Sequence, residues 1–176
     1  MLLPHLSGPA ACLRQVLAAH AVRGCANIVE IGGAGLPLTH FLTHAPKSVT
    51  VIDPKIPPFS AERLNGRACT VRHLAAKLQA VALEPRPGMA LVLLGLSLRP
   101  FGRASATPPA LLALAQAADV LVIDYALELP RALGQIGDLI ATRPEPPLID
   151  LALTIDDPAL SEAGFARRRF LAFGRA

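Results

Sequence analysis

Tryptophan is absent from this 176-residue chain, which also holds a single tyrosine and only six phenylalanines. Charged residues are scarce as well, at 17%, whereas apolar residues make up 52%. A disordered chain has the opposite balance, so a folded chain with an unusually apolar interior is expected. The length suits a single domain that spans residues 1–176. Apolar residues in excess of the core can cover a partner surface, which leaves a homodimer as one expectation.

Long apolar runs are also missing, since none approaches the roughly 18–20 residues that span a bilayer. The longest candidates, Met89–Leu98 and Val120–Ile123, are bounded by Gly, Pro or Asp and are typical of strands. The first residues lack a basic region followed by a continuous apolar stretch, so no signal peptide is predicted. No membrane segment is expected, and a cytoplasmic location follows.

Cysteine is limited to Cys12, Cys25 and Cys69, an odd number at wide spacing without a C-x-x-C pair. This pattern argues against a disulfide framework and a metal signature, so buried reduced thiols are expected. His40 and His44 stand four residues apart, but no nearby Glu or Cys completes the three or four ligands of a zinc site. Both histidines are predicted to lie on a helix surface, and no metal is expected.

The chain has no large excess of charge of either sign. Its net charge of +4 is too small by itself to indicate nucleic-acid binding. The one basic cluster, Arg167–Arg168–Arg169, has no interleaved aromatic residues. These arginines can bind phosphate or can protect an exposed edge strand from pairing, and the pattern favours the edge strand. Nucleic acid is therefore not an expected partner.

What the chain does contain is an alternation of short β-branched or apolar runs with segments of helical periodicity. The predicted strands are Asn27–Ile31, Ser48–Ile52, Ala68–Arg72, Met89–Leu94, Asp119–Ile123, Leu148–Ile155 and Arg168–Phe173. The predicted helices are Pro9–Ala21, Pro37–Thr43, Leu74–Leu83, Pro109–Ala118 and Pro130–Ala141. Such alternation predicts right-handed crossovers and a parallel sheet with helices on both faces.

The last two predicted strands break this rhythm. Only residues 156–166 lie between Ile155 and Arg167, which is too short for a crossover helix with two loops. These strands are therefore expected to pair antiparallel. The expected fold is α/β: a doubly wound, mostly parallel seven-stranded sheet with a C-terminal antiparallel hairpin.

The first predicted strand ends in a glycine-rich turn, Glu30-Ile31-Gly32-Gly33-Ala34-Gly35-Leu36-Pro37. Glycine lets a backbone turn tightly and approach a ligand, and Pro37 suits the first turn of a helix whose N-terminus attracts anionic groups. Asp53 ends the second strand, 23 residues after Glu30, where a carboxylate can accept hydrogen bonds from ribose hydroxyls. Together these features indicate a nucleoside-containing ligand, whereas the glycines alone could serve only strand–helix packing.

The dinucleotide pattern G-x-G-x-x-G is not completed in this turn. Pro37 or Leu38 stands where the third glycine is required, depending on which glycine begins the pattern. A nicotinamide-dependent oxidoreductase is therefore a disfavoured hypothesis.

A different motif is matched more closely. The segment Glu30–Gly35 resembles the acidic-x-Gly-x-Gly-x-Gly first motif of class I S-adenosylmethionine-dependent methyltransferases, which have a Rossmann-like fold. Val49–Asp53 resembles their second motif. Gly164-Phe165 and the following Arg167–Gly174 are similar to the segment that closes their antiparallel hairpin.

This resemblance implies S-adenosylmethionine as the cofactor. Residues 32–35 would line its methionine portion, Glu30 would help to hold that end, and Asp53 would bind the ribose hydroxyls. Where the family often has an acid against the adenine amino group, this chain reads Arg72-His73-Leu74, so apolar contacts and backbone groups would hold adenine. The cofactor-binding residues implied are Glu30, Gly32, Gly33, Ala34, Gly35, Asp53, Pro54, His73, Leu74 and Gly95.

Methyl transfer to a small-molecule acceptor is the leading functional hypothesis. Little of the chain is left over for a dedicated substrate domain. The fourth strand lacks an Asn-Pro-Pro-Tyr-like motif, so the catalytic residues are unassigned. Ser97, Asp124 and Tyr125 are candidates near the expected cleft, with a turn role as the alternative for Asp124 and packing as the alternative for Tyr125.

Two other functions stay open. A related fold transfers the aminocarboxypropyl group of S-adenosylmethionine, as in nicotianamine-synthase-like enzymes. The other alternative is a non-enzymatic, methyltransferase-like module that binds a partner. Ala34 and Leu36, which replace glycines of the motif, favour this last reading.

Overall fold

The computed structural model describes residues 8–33, 36–96, 107–128, 130–162 and 164–174. The strands in these ranges are β1 (Asn27–Ile31), β2 (Ser48–Ile52), β3 (Phe59–Leu64), β4 (Arg67–Leu74), β5 (Met89–Leu96), β6 (Val120–Ala126), β7 (Ile149–Thr154) and β8 (Arg167–Phe173). The helices are α1 (Gly8–Ala21), α2 (Pro109–Ala117), α3 (Pro130–Ile140) and α4 (Pro158–Glu162). Single 3₁₀ turns lie at Leu38–His40 and Leu78–Ala80.

The strands form one eight-stranded sheet in the order β3-β4-β2-β1-β5-β6-β8-β7. Parallel pairing joins β4 to β2, β2 to β1, β1 to β5 and β5 to β6. Antiparallel pairing joins β3 to β4, β6 to β8 and β8 to β7. The expectation of a doubly wound, mostly parallel seven-stranded sheet is therefore wrong, since the protein is α/β with a mixed sheet. The expected antiparallel pairing of the last two strands is present, between β7 and β8.

The additional strand belongs to a hairpin that apolar periodicity did not reveal. β3 and β4 are joined by Asn65 and Gly66, which both have positive φ, 50° and 77°. An Asn-Gly pair is a strong hairpin signal, because a type I′ turn requires positive φ at both central residues. β3 includes Glu62 and Arg63 and pairs irregularly with β4, so its alternation is weak.

Two of the predicted helices are wrong. The segments predicted as Pro37–Thr43 and Leu74–Leu83 each form only one 3₁₀ turn. Pro46 follows the first segment and Pro85 the second, and proline cannot continue a helix because it lacks the N–H donor.

Apolar side chains fill both faces of the sheet. On one face, called here the α1 face, α1 packs on the sheet, and the buried side chains include Val22, Ile28, Val49, Val122 and Phe170. On the opposite face, α2 and α3 pack on β5, β6 and β8, and the buried side chains include Leu93, Leu111, Leu114, Ile123 and Leu139. Burial of each large aliphatic side chain contributes roughly 1.5–3 kcal/mol. These two layers fix the strand ends that form the candidate site.

Three further expectations concern arginines, thiols and membranes. β8 lies between β6 and β7, so the expectation that Arg167–Arg169 protects an edge strand is wrong.

Cys25 and Cys69 are buried free thiols, whereas Cys12, also free, is partly exposed. Within the described ranges, no helix combines the length and apolar character needed to cross a bilayer.

Gly32 follows β1 and lies directly against the backbone of β5. Its φ is +87°, and its N–H donates to the carbonyl of Ile52 at 3.0 Å. A Cβ at this position would lie 2.0 Å from the carbonyl oxygen of Leu94. Close approach of two backbones therefore requires glycine here, whether or not a ligand is bound.

We expect Gly32→Ala to destabilise the fold far more than Gly24→Ala. Both glycines have a φ of +87°, so both alanines carry similar backbone strain, about 1–2 kcal/mol. Nothing lies within 4 Å of a Cβ at residue 24, whereas the clash at residue 32 should raise the cost to about 3 kcal/mol or more. Urea unfolding of both variants measures the difference. Equal losses of stability would contradict the packing of this turn on β5.

Candidate functional site

Four residues of the predicted site lie at one edge of the sheet. β1 lies between β2 and β5. The strands on the β2 side of β1 come next in the sequence, and the strands on the β5 side follow them. Ligands of open α/β sheets bind outside the carboxyl ends of strands where the order reverses in this way. Glu30 lies near that end of β1, Asp53 follows β2, and His73 and Leu74 end β4. The parallel register of the three strands brings these residues to the same edge.

Glu30 is completely buried and holds three segments together. Its Oε1 accepts a hydrogen bond from Nε2 of Gln15 at 3.0 Å, and its Oε2 accepts one from the N–H of Leu38 at 2.8 Å. Nε2 of Gln15 also donates to the carbonyl of Leu36. The carboxylate of β1 thereby ties α1 to the segment that follows the glycine turn.

Burial raises the pKa of the Glu30 carboxyl to about 7. The hydrogen bonds from Gln15 and Leu38 and the positive charge of Arg14 oppose this rise, while the charge of Asp53 adds to it. The group is poised to change its protonation state near neutral pH.

The turn after β1 differs from the expected strand–turn–helix unit. Gly33 has a φ of +95°, and a Cβ there would lie 2.5 Å from Oε1 of Glu30. Ala34 and Gly35 lie outside the described residues. Pro37 precedes a 3₁₀ turn and not a helix, so the expected helix N-terminus with free N–H groups is wrong. The N–H of Leu38, the first residue of that turn, is already bound to Glu30.

Asp53 lies immediately beyond β2 and is partly exposed. Its backbone N–H donates to the carbonyl of Leu74 at 3.2 Å, which fixes it beside the end of β4. Its Oδ1 accepts a hydrogen bond from the N–H of Lys55 at 2.7 Å. Pro54, between them, is exposed.

An open cleft of about 420 Å³ lies between the start of β3 and the end of β4. Its lining residues are Pro58, Phe59, Ser60, Arg72, His73 and Leu74. Phe59 is 53% exposed, an unusual position for a phenylalanine, and its ring centroid lies 5.2 Å from that of His73. The sequence indicated His73 and Leu74 as candidate binding residues but not Phe59, because β3 itself was not predicted.

His73 is held in place from the interior. Its Nε2 lies 3.3 Å from Oγ1 of Thr39, and burial, followed by the charge of His40, lowers the pKa of its imidazole. His40 ends the 3₁₀ turn and is exposed, and neither it nor His44 lies on the expected helix. Among the residues that the structure describes, no three or more His, Cys, Asp or Glu side chains are grouped to hold a metal.

The other predicted positions lie farther along the same edge. Gly95 belongs to the last part of β5, the neighbour of β1, while Ser97 lies outside the described residues. Tyr125 is buried within β6, on the face opposite α1. Asp124 is buried on the α1 face, within β6 and not in a turn.

Asp124 is the centre of a buried ion cluster. Arg168 donates to it through Nε at 3.1 Å and through Nη2 at 2.7 Å. Arg14 of α1 donates to the same carboxylate through Nη1 at 3.2 Å. These three residues, called here the buried cluster, connect α1 to β6 and β8. Only tertiary contact identifies Arg14, since 110 residues separate it from Asp124.

The two remaining arginines of the basic triplet are also paired. Nε of Arg167 donates to Glu128 at 2.6 Å, and Arg169 makes two hydrogen bonds to Asp150, at 2.9 and 2.7 Å. Each arginine of the triplet therefore has a carboxylate partner, which removes the basis for a phosphate-binding patch on β8.

Comparison of the chain with models of known protein families, with curated proteins and with solved structures gave no match.

Glu30→Gln should reduce the dependence of stability on pH. Between its ordinary pKa of 4.5 and about 7, Glu30 keeps a proton in the folded state that the unfolded state releases. Its contribution to stability therefore falls as pH rises through this window, by about 3 kcal/mol in all.

The measurement is urea unfolding of both proteins at pH 5 and pH 8. The wild type should lose more stability on going to pH 8 than Glu30→Gln does. The lowered pKa of His73 acts in the opposite direction but is common to both proteins, so it cancels. Identical pH dependence in the two proteins would contradict the burial of Glu30.

Asp124→Asn is expected to destabilise the protein by about 3–5 kcal/mol, because two buried guanidinium groups would lose their carboxylate. Asp150→Asn is the matched control, since Asp150 also pairs with an arginine but both side chains are more than 40% exposed. Exposed pairs contribute about 1 kcal/mol or less. Thermal and urea unfolding measure both changes, and a small loss in Asp124→Asn would count against the buried cluster.

Proposed function

We propose that this protein binds S-adenosylmethionine at the carboxyl ends of β1, β2 and β4 and transfers its methyl group to a small molecule. The observation that carries the proposal is that Asp53 is joined to the open cleft through Leu74. Its backbone is hydrogen-bonded to Leu74, which lines that cleft. A carboxylate next to a cleft with an aromatic wall suits adenosine, which has two ribose hydroxyls and a planar base.

In this proposal the base lies in the cleft, in contact with Phe59 and Leu74, because exposed aromatic rings stack on nucleobases. The ribose hydroxyls donate hydrogen bonds to Asp53. The turn that begins at Gly32 and the backbone of β5 at Gly95 flank the methionine portion. Glu30 acts from behind the turn, where it accepts hydrogen bonds from the side chain of Gln15 and from the backbone N–H of Leu38.

Methyl transfer requires little of the protein beyond positioning the cofactor and the acceptor. A nucleophilic atom of the acceptor attacks the methyl carbon in line with the carbon–sulfur bond. That bond breaks with its electrons going to sulfur, and S-adenosylhomocysteine leaves. Any proton on the attacking atom is released to water afterwards.

A non-enzymatic binding module is the second candidate. Glu30 and Asp124 are both buried and hydrogen-bonded to protein groups. Neither is therefore placed to act as an acid or base on a ligand, which favours this candidate. Aminocarboxypropyl transfer from the same cofactor is distinguished by its product, since it leaves methylthioadenosine and not S-adenosylhomocysteine.

The proposal includes a cytoplasmic setting and a homodimer. Three free thiols, at Cys12, Cys25 and Cys69, suit a reducing compartment. The exposed apolar side chains of Leu148 and Leu151, near and within the edge strand β7, provide apolar surface for a second copy. Nucleic acid is not proposed as a partner, because the arginines of β8 are already paired.

Thermal unfolding with S-adenosylmethionine, S-adenosylhomocysteine and NAD tests the binding step. Ligand at about 100 times its dissociation constant adds roughly 2.7 kcal/mol to stability, which should raise the midpoint by about 5–11 °C. We expect this shift with the first two ligands and none with NAD. Asp53→Ala should abolish it.

Asp157→Ala is the matched control for that variant. Asp157 also accepts hydrogen bonds from nearby backbone N–H groups, at Ala159 and Leu160, but it lies on the segment between β7 and β8. Its variant should keep the full ligand shift. A shift with NAD alone, or an undiminished shift in Asp53→Ala, would contradict the assigned site. Ligand binding without product formation across acceptor classes would favour the binding module.

A further inference from the structure

The sheet has two edge strands, β3 and β7, and they differ in how they are protected against pairing with another chain. The ladder of β3 with β4 is interrupted between Ala61 and Arg63, and β3 has two adjacent charged residues, Glu62 and Arg63. Bulges and charges are the usual means by which edge strands avoid intermolecular pairing. β3 is therefore suited to remain an edge.

β7 lacks this protection. Its six residues pair with β8 without an interruption, and they include no proline and no lysine. Its one charged residue, Asp150, makes two hydrogen bonds to Arg169, at 2.9 and 2.7 Å, so that its charge is neutralised. Leu151 is 37% exposed although it is a large apolar residue. A regular and partly apolar edge strand of this kind is a template for a further strand.

Alternation of the backbone groups identifies the residues of β7 that can bind such a strand. The N–H of Ile155 donates to the carbonyl of Ala166 at 3.0 Å, in the register of the β7–β8 ladder. Backbone groups of an antiparallel strand point alternately to its two sides, so every second residue back from Ile155 also faces β8. The backbone groups of Asp150, Ala152 and Thr154 therefore face away from β8. Within the described ranges, β7 has no strand on that side.

A second copy of β7 matches these outward groups when the two strands run antiparallel about a two-fold axis at Ala152. Asp150 of each copy then lies opposite Thr154 of the other, and Ala152 lies opposite itself. Each outward N–H and C=O of the three residues meets a partner in this register. The carboxylate of Asp150 also lies beside a hydroxyl and not beside a second carboxylate.

The two neighbouring symmetric registers fit less well. A register centred on Leu151 places Thr154 opposite Leu148, whose N–H is already donated to the carbonyl of Ala172. A register centred on Asp150 places two like charges directly opposite each other, which is destabilising. The register centred on Ala152 avoids both problems.

The apolar side chains of β7 are compatible with the same register. Leu151 pairs with Phe170 and Leu153 with Arg168, and both of these partners face α1. Directly paired residues of a sheet share a face, so Leu151 and Leu153 lie on the α1 face. In the register centred on Ala152, Leu151 of one copy lies opposite Leu153 of the other. The exposed part of Leu151 is then covered by an apolar neighbour.

We propose that two copies of this chain associate through β7, in antiparallel pairing centred on Ala152, so that one sheet continues from the first copy into the second. One strand supplies both sides of each match, which is the property that a two-fold interface requires. A second copy is therefore the occupant that fits this edge. The inference rests on the homodimer included in the proposed function, and it names the interface of that dimer.

Sedimentation velocity of the full chain at micromolar concentrations tests the interface. We expect the wild type to be a dimer. Ala152→Lys places two lysines opposite each other at the axis and should weaken the dimer by about 100-fold or more, because like charges in contact repel. Ser60→Lys is the matched control, since it adds the same charge at an exposed position of the other edge strand, β3, and should leave the dimer intact.

Disulfide formation between copies tests the register. In a background of Cys12→Ser, which removes the partly exposed thiol, Ala152→Cys should cross-link two copies under mild oxidation. Residues opposite each other in an antiparallel pair have Cα atoms about 5.5 Å apart, within the range of a disulfide. Thr154→Cys in the same background is the control and should not cross-link, because Thr154 lies opposite Asp150. Electrophoresis without reductant measures both.

The outcomes are distinct from those that concern the ligand. A monomeric wild type, or a dimer that Ala152→Lys leaves intact, would overturn the interface. Cross-linking through Thr154→Cys and not through Ala152→Cys would overturn the register, and the cross-linking result decides alone if Ala152→Lys does not fold. These measurements contain no nucleoside, so their failure leaves the site at Asp53 standing, and a failure of S-adenosylhomocysteine to bind leaves the interface standing.

Discussion

The arrangement of the candidate site depends on a carboxylate that has no access to water. Glu30 extends from β1 toward α1, where a carboxyl without hydrogen-bond partners would be prohibitively unfavourable. Gln15 and Leu38 supply those partners, and they come from either side of the glycine turn in the sequence. The position of α1, the path of the turn and the end of β1 are thus fixed by one group.

Buried ion pairs on the α1 face also fix the position of α1 on the sheet. The buried cluster of Arg14, Asp124 and Arg168 anchors α1 to β6 and β8, as Glu30 anchors it to β1. The exposed arginines on β8 differ in kind, because their pairs with Glu128 and Asp150 are in contact with solvent. Three consecutive arginines therefore have distinct roles set by the alternation of side chains along a strand.

Much of the sheet could be predicted from the sequence, and the connections could not. Apolar, β-branched runs such as Ser48–Ile52 identified strands, because strands buried on both faces are nearly continuous in apolar residues. The helix expected at Pro37–Thr43 failed because a short segment before a proline forms only a 3₁₀ turn. The hairpin at Asn65–Gly66 did have a local signal, which apolar periodicity does not register.

The candidate site was partly predictable for a similar reason. Asp53 was predicted from its position after a strand, because parallel strands place their carboxyl ends together, whereas His73 was implied by the family resemblance. Phe59 depended on the missed strand. Arg14 could not be found locally, because its partner Asp124 is distant in sequence and the pairing exists only in the folded chain.

The central claim is that adenosine binds at Asp53. A crystal structure of the protein with S-adenosylhomocysteine tests it most directly. The account predicts both ribose hydroxyls within hydrogen-bond distance of the Asp53 carboxylate and the adenine ring in the cleft against Phe59. Electron density for the ligand at another position, or an empty cleft under saturating ligand, would contradict it.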